Sequence, residues 1–130
     1  MIKSIEDILK HFAVSREDLL KVVAEAMSKG GDYADLFFEN TFSNSISLSD
    51  NQVNRTASNI DFGVGIRVIA GDQTGYAFVE NTDLQSLLTA ARTAASIATS
   101  TKKQNPVEIK DTVFTNRYRI QREWLDVSVA

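Results

Sequence analysis

The sequence predicts an α+β domain: two N-terminal helices, a five-stranded, mainly antiparallel sheet, and one long helix packed on a sheet face. Three observations carry this prediction. Apolar residues recur at helical spacing as far as Met27, the period drops to two from Tyr33 onward, and an alanine-rich helical stripe follows Thr82. A length of 130 residues suits one domain. With 43% hydrophobic and 24% charged residues, the composition fits a packed core and argues against wholesale disorder.

The elements follow in order. Ser4 precedes Ile5-Glu6-Asp7, a cap with acids at the positive end of a helix, and Ile5, Ile8, Leu9 and Phe12 form its apolar stripe. Ser15 repeats the signal for a second helix with Leu19, Leu20, Val22, Val23, Ala26 and Met27, which Gly30-Gly31 stops. Ala34–Glu39 reads as the first strand. In the second, Asn44, Ile46 and Leu48 alternate with Ser43, Ser45, Ser47 and Ser49, giving an apolar face and a hydroxyl face. Asp50-Asn51 is a turn, and Val53, Arg55 and Ala57 suit an edge or partly exposed strand. Val64, Ile66, Val68 and Ala70 share a face of the strongest strand, and Tyr76–Val79 returns after the Gly71–Gly75 loop. Thr82 with Gln85 fits a capping box, from which a helix is expected to run to about Thr101, roughly 28 Å.

Residues 102–130 differ in character. They hold six basic and four acidic groups, net +2, so residues 1–101 carry −5 of the total −3. Asn105-Pro106 breaks any helix, and Val113–Ile120 reads as extended and amphipathic. Trp124, Leu125 and Val127 have little to pack on, and Asp126–Ala130 looks like a helix cap with almost no helix after it. The expectation is a domain over 1–101 and an extended segment over 102–130 that leads to a missing C-terminal part.

Composition excludes several functions. Without cysteine there is no disulfide framework, zinc ribbon or thiol nucleophile. His11 is the only histidine, so one copy of the chain cannot supply a two-histidine metal site. No apolar run approaches the roughly 20 residues of a membrane helix, and the N-terminus lacks the order of a secretory signal, so a cytoplasmic location is expected. Without a secretory route the sequon Asn54-Arg55-Thr56 carries no meaning. A net charge of −3 gives no footprint for nucleic acid.

Local candidates for chemistry each meet a plainer structural explanation. Gly63-Val64-Gly65 lacks the third glycine of a dinucleotide loop and lies inside a strand. Gly71–Gly75 offers exposed amides to an anion, but a hairpin turn accounts for it. Arg67 reads as solvated or structurally paired, and His11 has no acid–base partner at a telling spacing. Asp35, Glu39, Asp61, Asp72 and Glu80 sit near strand ends with no metal-selecting spacing. Ser43–Ser49 lacks a base and an elbow for a nucleophile, although its edge suits β-addition of an extended peptide. Arg117, Tyr118, Arg119, Arg122 and Trp124 mix cations and aromatics as single-strand nucleic-acid binders do. Four acids in that segment favour packing onto a missing part of the protein or onto another subunit.

One longer pattern is more specific. Tyr33-Ala34-Asp35-Leu36-Phe37-Phe38-Glu39, then a variable hairpin, then Gly63–Ala70 and Gly71-Asp72-Gln73-Thr74-Gly75-Tyr76-Ala77, then Ala90-Ala91-Arg92 on a helix, resembles the N-terminal domain of the TldD/PmbA family, the modulators of DNA gyrase. The wording from Gly71 to Ala77 is closer to the TldD half than to the TldE (PmbA) half. The resemblance implies a parent metalloprotease in which TldD and TldE enclose a cavity and unfolded peptides are cleaved. It implies zinc in a His-Glu-x-x-x-His helix, with the glutamate as base. None of that motif is present, so no catalytic, cofactor-binding or metal residue is carried over to this chain, which is expected to be inactive alone. The implied partner is a TldE/PmbA-like subunit or a second copy. The alternatives are a stand-alone protein- or peptide-interaction module and the inactive partner half.

Overall fold

A computed structural model describes residues 4–100 together with Ile109, Thr112 and Gln121. Helix α1 (Ile5–His11) begins at Ser4, whose Oγ accepts from the Asp7 N–H at 3.2 Å while the Ser4 N–H donates back to Asp7 Oδ2 at 3.0 Å. A left-handed corner at Ala13 (φ 52°) leads to Ser15, which caps α2 (Arg16–Ala26) by accepting from the Asp18 N–H at 3.0 Å. Gly30, at φ 87°, then turns the chain into the sheet.

Three strands follow among the described residues: β1 (Tyr33–Ser49), β2 (Gln52–Ala70) and β3 (Gln73–Val79), antiparallel in the order β1-β2-β3. The five expected strands are therefore three. Asn40–Ser43 do not break the first strand, because each pairs across to Asn59–Phe62, and the ladder runs unshifted from Tyr33↔Ile69 to Ser47↔Arg55. One bulge, between Ser47 and Leu48, leaves Asn54 as the extra residue. Asp50 and Asn51 close the hairpin with φ of 52° and 60°, the signs a type I′ turn demands.

Cross-strand partners share a face, so the register sorts the sheet. Ala34, Leu36 and Phe38 join Val64, Ile66, Val68 and Ala70, with Gly75, Ala77 and Val79, on the core face. Against them pack Leu19, Val22 and Ala26 of α2 and Leu87, Ala90, Ala91, Ala94 and Ala98 from the last helix. No polar or charged side chain is buried among the described residues. The alanine stripe lets the helix backbone approach β3 closely: a Cβ at Gly75 would overlap the Ala94 carbonyl.

That last helix, α3 (Leu84–Ile97), is shorter than expected, and its cap is Asp83 instead of Thr82. Thr82 is committed elsewhere, donating to the Phe12 carbonyl at 2.7 Å, while Asp83 accepts from the Ser86 N–H at 3.0 Å and hydroxyl at 2.6 Å. Those bonds, the Ser86 hydroxyl first, hold the Asp83 carboxyl below the ordinary aspartate range. A pKa lowered by folding stabilises above the unfolded value, about 3.9, and that contribution is lost as pH falls through the folded value. Asp83→Ala is thus expected to lower the urea midpoint at neutral pH, with the gap from the parent closing in strong acid. A gap that persists there would refute the cap assignment.

Candidate functional site

Two surfaces stand apart from the core. The first is an arm. Among the described residues β3 pairs only with Val64–Ala70, so beyond Gly63 the β1–β2 hairpin continues with no third described strand beside it. Residues 40–61 are all exposed, and the ten residues from Asn40 to Ser49 span about 33 Å. The face that is buried nearer the base continues along the arm as Phe42, Ile46, Leu48, Val53 and Ile60, which are 36–65% exposed. The expected apolar face of the serine-rich strand is there, uncovered among the described residues. Its other face carries Ser43, Ser45 and Ser47 in regular strand, which provides no nucleophile elbow.

The second surface is the outer face of the sheet. Here β2 presents Gly63 and Gly65 between Glu39 and Phe37 of β1 on one side and, on the other, Phe78 of β3 and Glu80 just after it. The glycines make room for rings. A Cβ at Gly65 would stand 2.5 Å from Tyr76 Oη, and one at Gly63 would stand 2.7 Å from Phe78 Cζ. Tyr33, Phe37, Tyr76 and Phe78 remain 42–59% exposed. Where β2 runs on past the end of β3, a cleft of about 470 Å³ is lined by Ile60, Tyr76 and Phe78 and by three carboxylates, Glu39, Asp61 and Glu80. Among the described residues no ion pair reaches these three acids.

The other candidates have structural partners. Arg67 donates to Asp35 from Nε at 3.0 Å and Nη2 at 2.6 Å across β1 and β2, and that hydrogen bonding, then the Asp35 charge, raises the guanidinium pKa further. The Gly71–Gly75 loop reduces to a two-residue turn at Gly71-Asp72, and the Gly71 N–H is taken by Asp32 Oδ2 at 2.7 Å. A carboxylate on that amide opposes anion binding. His11 lies edge-on to Phe12 and Phe62, its Nε2 2.8 Å from Asn40 Nδ2. Among the described residues no three His, Cys, Asp or Glu side chains converge to hold a metal ion, and no helix is long and apolar enough to cross a membrane. Arg117, Tyr118, Arg119, Arg122 and Trp124 lie outside the described residues. The aromatic outer face went unread in the sequence. Its signal is the pairing of strand glycines with aromatics two residues apart, Gly63 and Gly65 against Tyr76 and Phe78.

Comparison with known proteins identifies the pattern. The profile of PmbA/TldA metallopeptidase domain 1 matches residues 34–98. The chain is 33% identical over 85 residues to the Metalloprotease TldD homolog of Haemophilus influenzae, covering 65% of this chain and 18% of that protein. It is 28% identical over 92 residues to the Metalloprotease TldD homolog of Buchnera aphidicola subsp. Acyrthosiphon pisum, covering 71% and 19%. The chain thus matches about a fifth of the length of these curated relatives.

Proposed function

The chain belongs to the PmbA/TldD metallopeptidase family, and from that premise we propose that residues 1–101 are the non-catalytic first domain of a TldD-type zinc peptidase. The parent cleaves unfolded peptides in an enclosed cavity in the cytoplasm. Metalloprotease relatives imply a metal in the parent, and the described residues here do not fit one. His11, the only imidazole, is held against Asn40 and two phenyl rings, and cysteine is absent. No step of hydrolysis is assigned to this chain.

The observation that supports a scaffolding role is the arm. A two-stranded ribbon with an uncovered apolar face is marginal in water by itself. Its residues Phe42, Ile46, Leu48, Val53 and Ile60 form a stripe continuous with the core face, the kind of surface that another protein part covers. The rest of the parent, a TldE/PmbA-like subunit or a second copy takes that place. The second reading, a stand-alone module for proteins or peptides, draws support from the outer edges of β1 and β3, which pair with no further strand among the described residues.

Two measurements separate these readings. The isolated 130-residue chain is expected to hold zinc well below one equivalent in a metal-content assay and to leave an unfolded peptide uncut. Tight one-to-one zinc, or turnover, overturns the non-catalytic assignment. The gene's reading frame decides the rest: continuation with a His-Glu-x-x-x-His helix supports the peptidase, continuation without it the inactive half, and a stop after Ala130 the module.

A further inference from the structure

We propose that two copies of this chain join edge to edge through β1, antiparallel about a two-fold axis at Phe42, so that two three-stranded sheets become one of six strands. The inference takes a second copy as the arm's partner and is independent of the zinc assignment. Sheet edges are normally blunted by lysine, proline, a bulge or a short length. The outer edge of β1, which pairs with no further strand among the described residues, has none of these. It runs 17 residues without Lys, Arg or Pro, and the hairpin's bulge places its extra residue, Asn54, in β2. Strand β3, at the other side of the sheet, is 7 residues long and has α3 seated closely on it.

A palindrome selects the second copy. Along the face that is buried at the base, β1 reads Leu36, Phe38, Asn40, Phe42, Asn44, Ile46, Leu48, the same chemical order from either end. An antiparallel copy centred on Phe42 therefore sets Leu36 against Leu48, Phe38 against Ile46 and Phe42 against itself. Asn40 meets Asn44, and their amides are complementary. Asn40 Nδ2 is spent on His11 and Asn44 Oδ1 on the Ser58 hydroxyl, which leaves an Oδ1 acceptor opposite an Nδ2 donor. On the opposite face Asp35 meets Ser49, Phe37 meets Ser47, Glu39 meets Ser45 and Thr41 meets Ser43, so no like charges oppose each other. Moving the centre by one residue in either direction sets Phe42 against an asparagine. The paired length, Asp35–Ser49, is about 50 Å. With a sheet about 10 Å thick, the contact covers about 1,000 Å² over both copies, enough for a specific interface.

The 130-residue chain is expected to sediment as a dimer at micromolar concentration. Ser45 opposes Glu39, so Ser45→Glu creates two like-charge contacts per dimer and Ser45→Lys two attractive ones. The first is expected to raise the dimer dissociation constant severalfold and the second to lower it, and both lie on the exposed arm, away from the core. The chain has no cysteine, so introduced thiols report the register. Phe37→Cys mixed with Ser47→Cys is expected to give a disulfide-linked dimer on mild oxidation, and neither variant alone is expected to do so. A monomer in sedimentation overturns the proposal. So do Ser45 variants that shift the equilibrium in the same direction, or crosslinking of either thiol variant by itself. The zinc and peptide assays read none of these outcomes, so either reading can fail without the other.

Discussion

Gly75→Ala is expected to cost about 3 kcal/mol or more, at the upper end of what overpacking does. A single methyl has this effect because of what surrounds it. Gly75 lies on the core face of β3, and a Cβ there would overlap the carbonyl of Ala94 and press on the backbone of Ala98. Both neighbours are backbone, so no rotamer change relieves the clash. Helix α3 has to lift from the sheet, and its contacts through Ala90, Ala91 and Ala94 loosen together. Against a net stability of 5–15 kcal/mol for a typical domain, such a loss is expected to lower the melting temperature by about 12 °C or more. Gly65→Ala is the control. Its Cβ meets the Tyr76 side chain, 52% exposed, which swings into solvent, so less than about 1 kcal/mol is expected. Urea unfolding of the two variants reads the contrast, and equal costs would refute the close seating of α3 on β3.

Leu87→Ala is the second large effect, an expected loss of about 2–5 kcal/mol. Leu87 is fully buried, and the other buried residues of α3 are all alanines. The helix therefore inserts one fully buried bulky group near its start, flanked by half-buried Leu84 and Leu88, and seats on small ones afterwards. Removing it leaves a void in the close-packed cluster that Leu87 shares with Ile66 and Val64 of β2. Alanine keeps the helix propensity high, so the loss reports packing alone. A cost below about 1 kcal/mol, measured by the same unfolding experiment, would place Leu87 outside the core.

The helices and the core strands were legible because each carries a strong local signal. Ser4 and Ser15 cap where their sequence says, and Val64, Ile66 and Val68 alternate cleanly into the core. The strand count was not legible. Strands of 17 and 19 residues lie far outside the usual 3–10, and polar residues such as Asn40, Thr41 and Ser43 look like a connection until their partners across the ladder are known. Pairing is non-local, so no window of sequence contains it. The cap of α3 failed for a similar reason: Thr82 and Asp83 are both good caps, and a carbonyl 70 residues away, that of Phe12, claims the threonine. The candidate site was legible only in part. Its acids were visible one by one, but the rings that lie over Gly63 and Gly65 become neighbours only through the register of β2 with β3.

The length of the arm also orders how the sheet assembles. From the Asp50-Asn51 turn, each successive rung joins residues two positions further apart, three at the bulge, ending with Tyr33 and Ile69. Early rungs are entropically cheap but bury almost nothing, while the late ones near the base bring in Val64, Ile66 and Val68. Zippering outward from the tip is therefore uphill until the base is reached, and the commitment to fold rests with the end of the hairpin most distant from its turn.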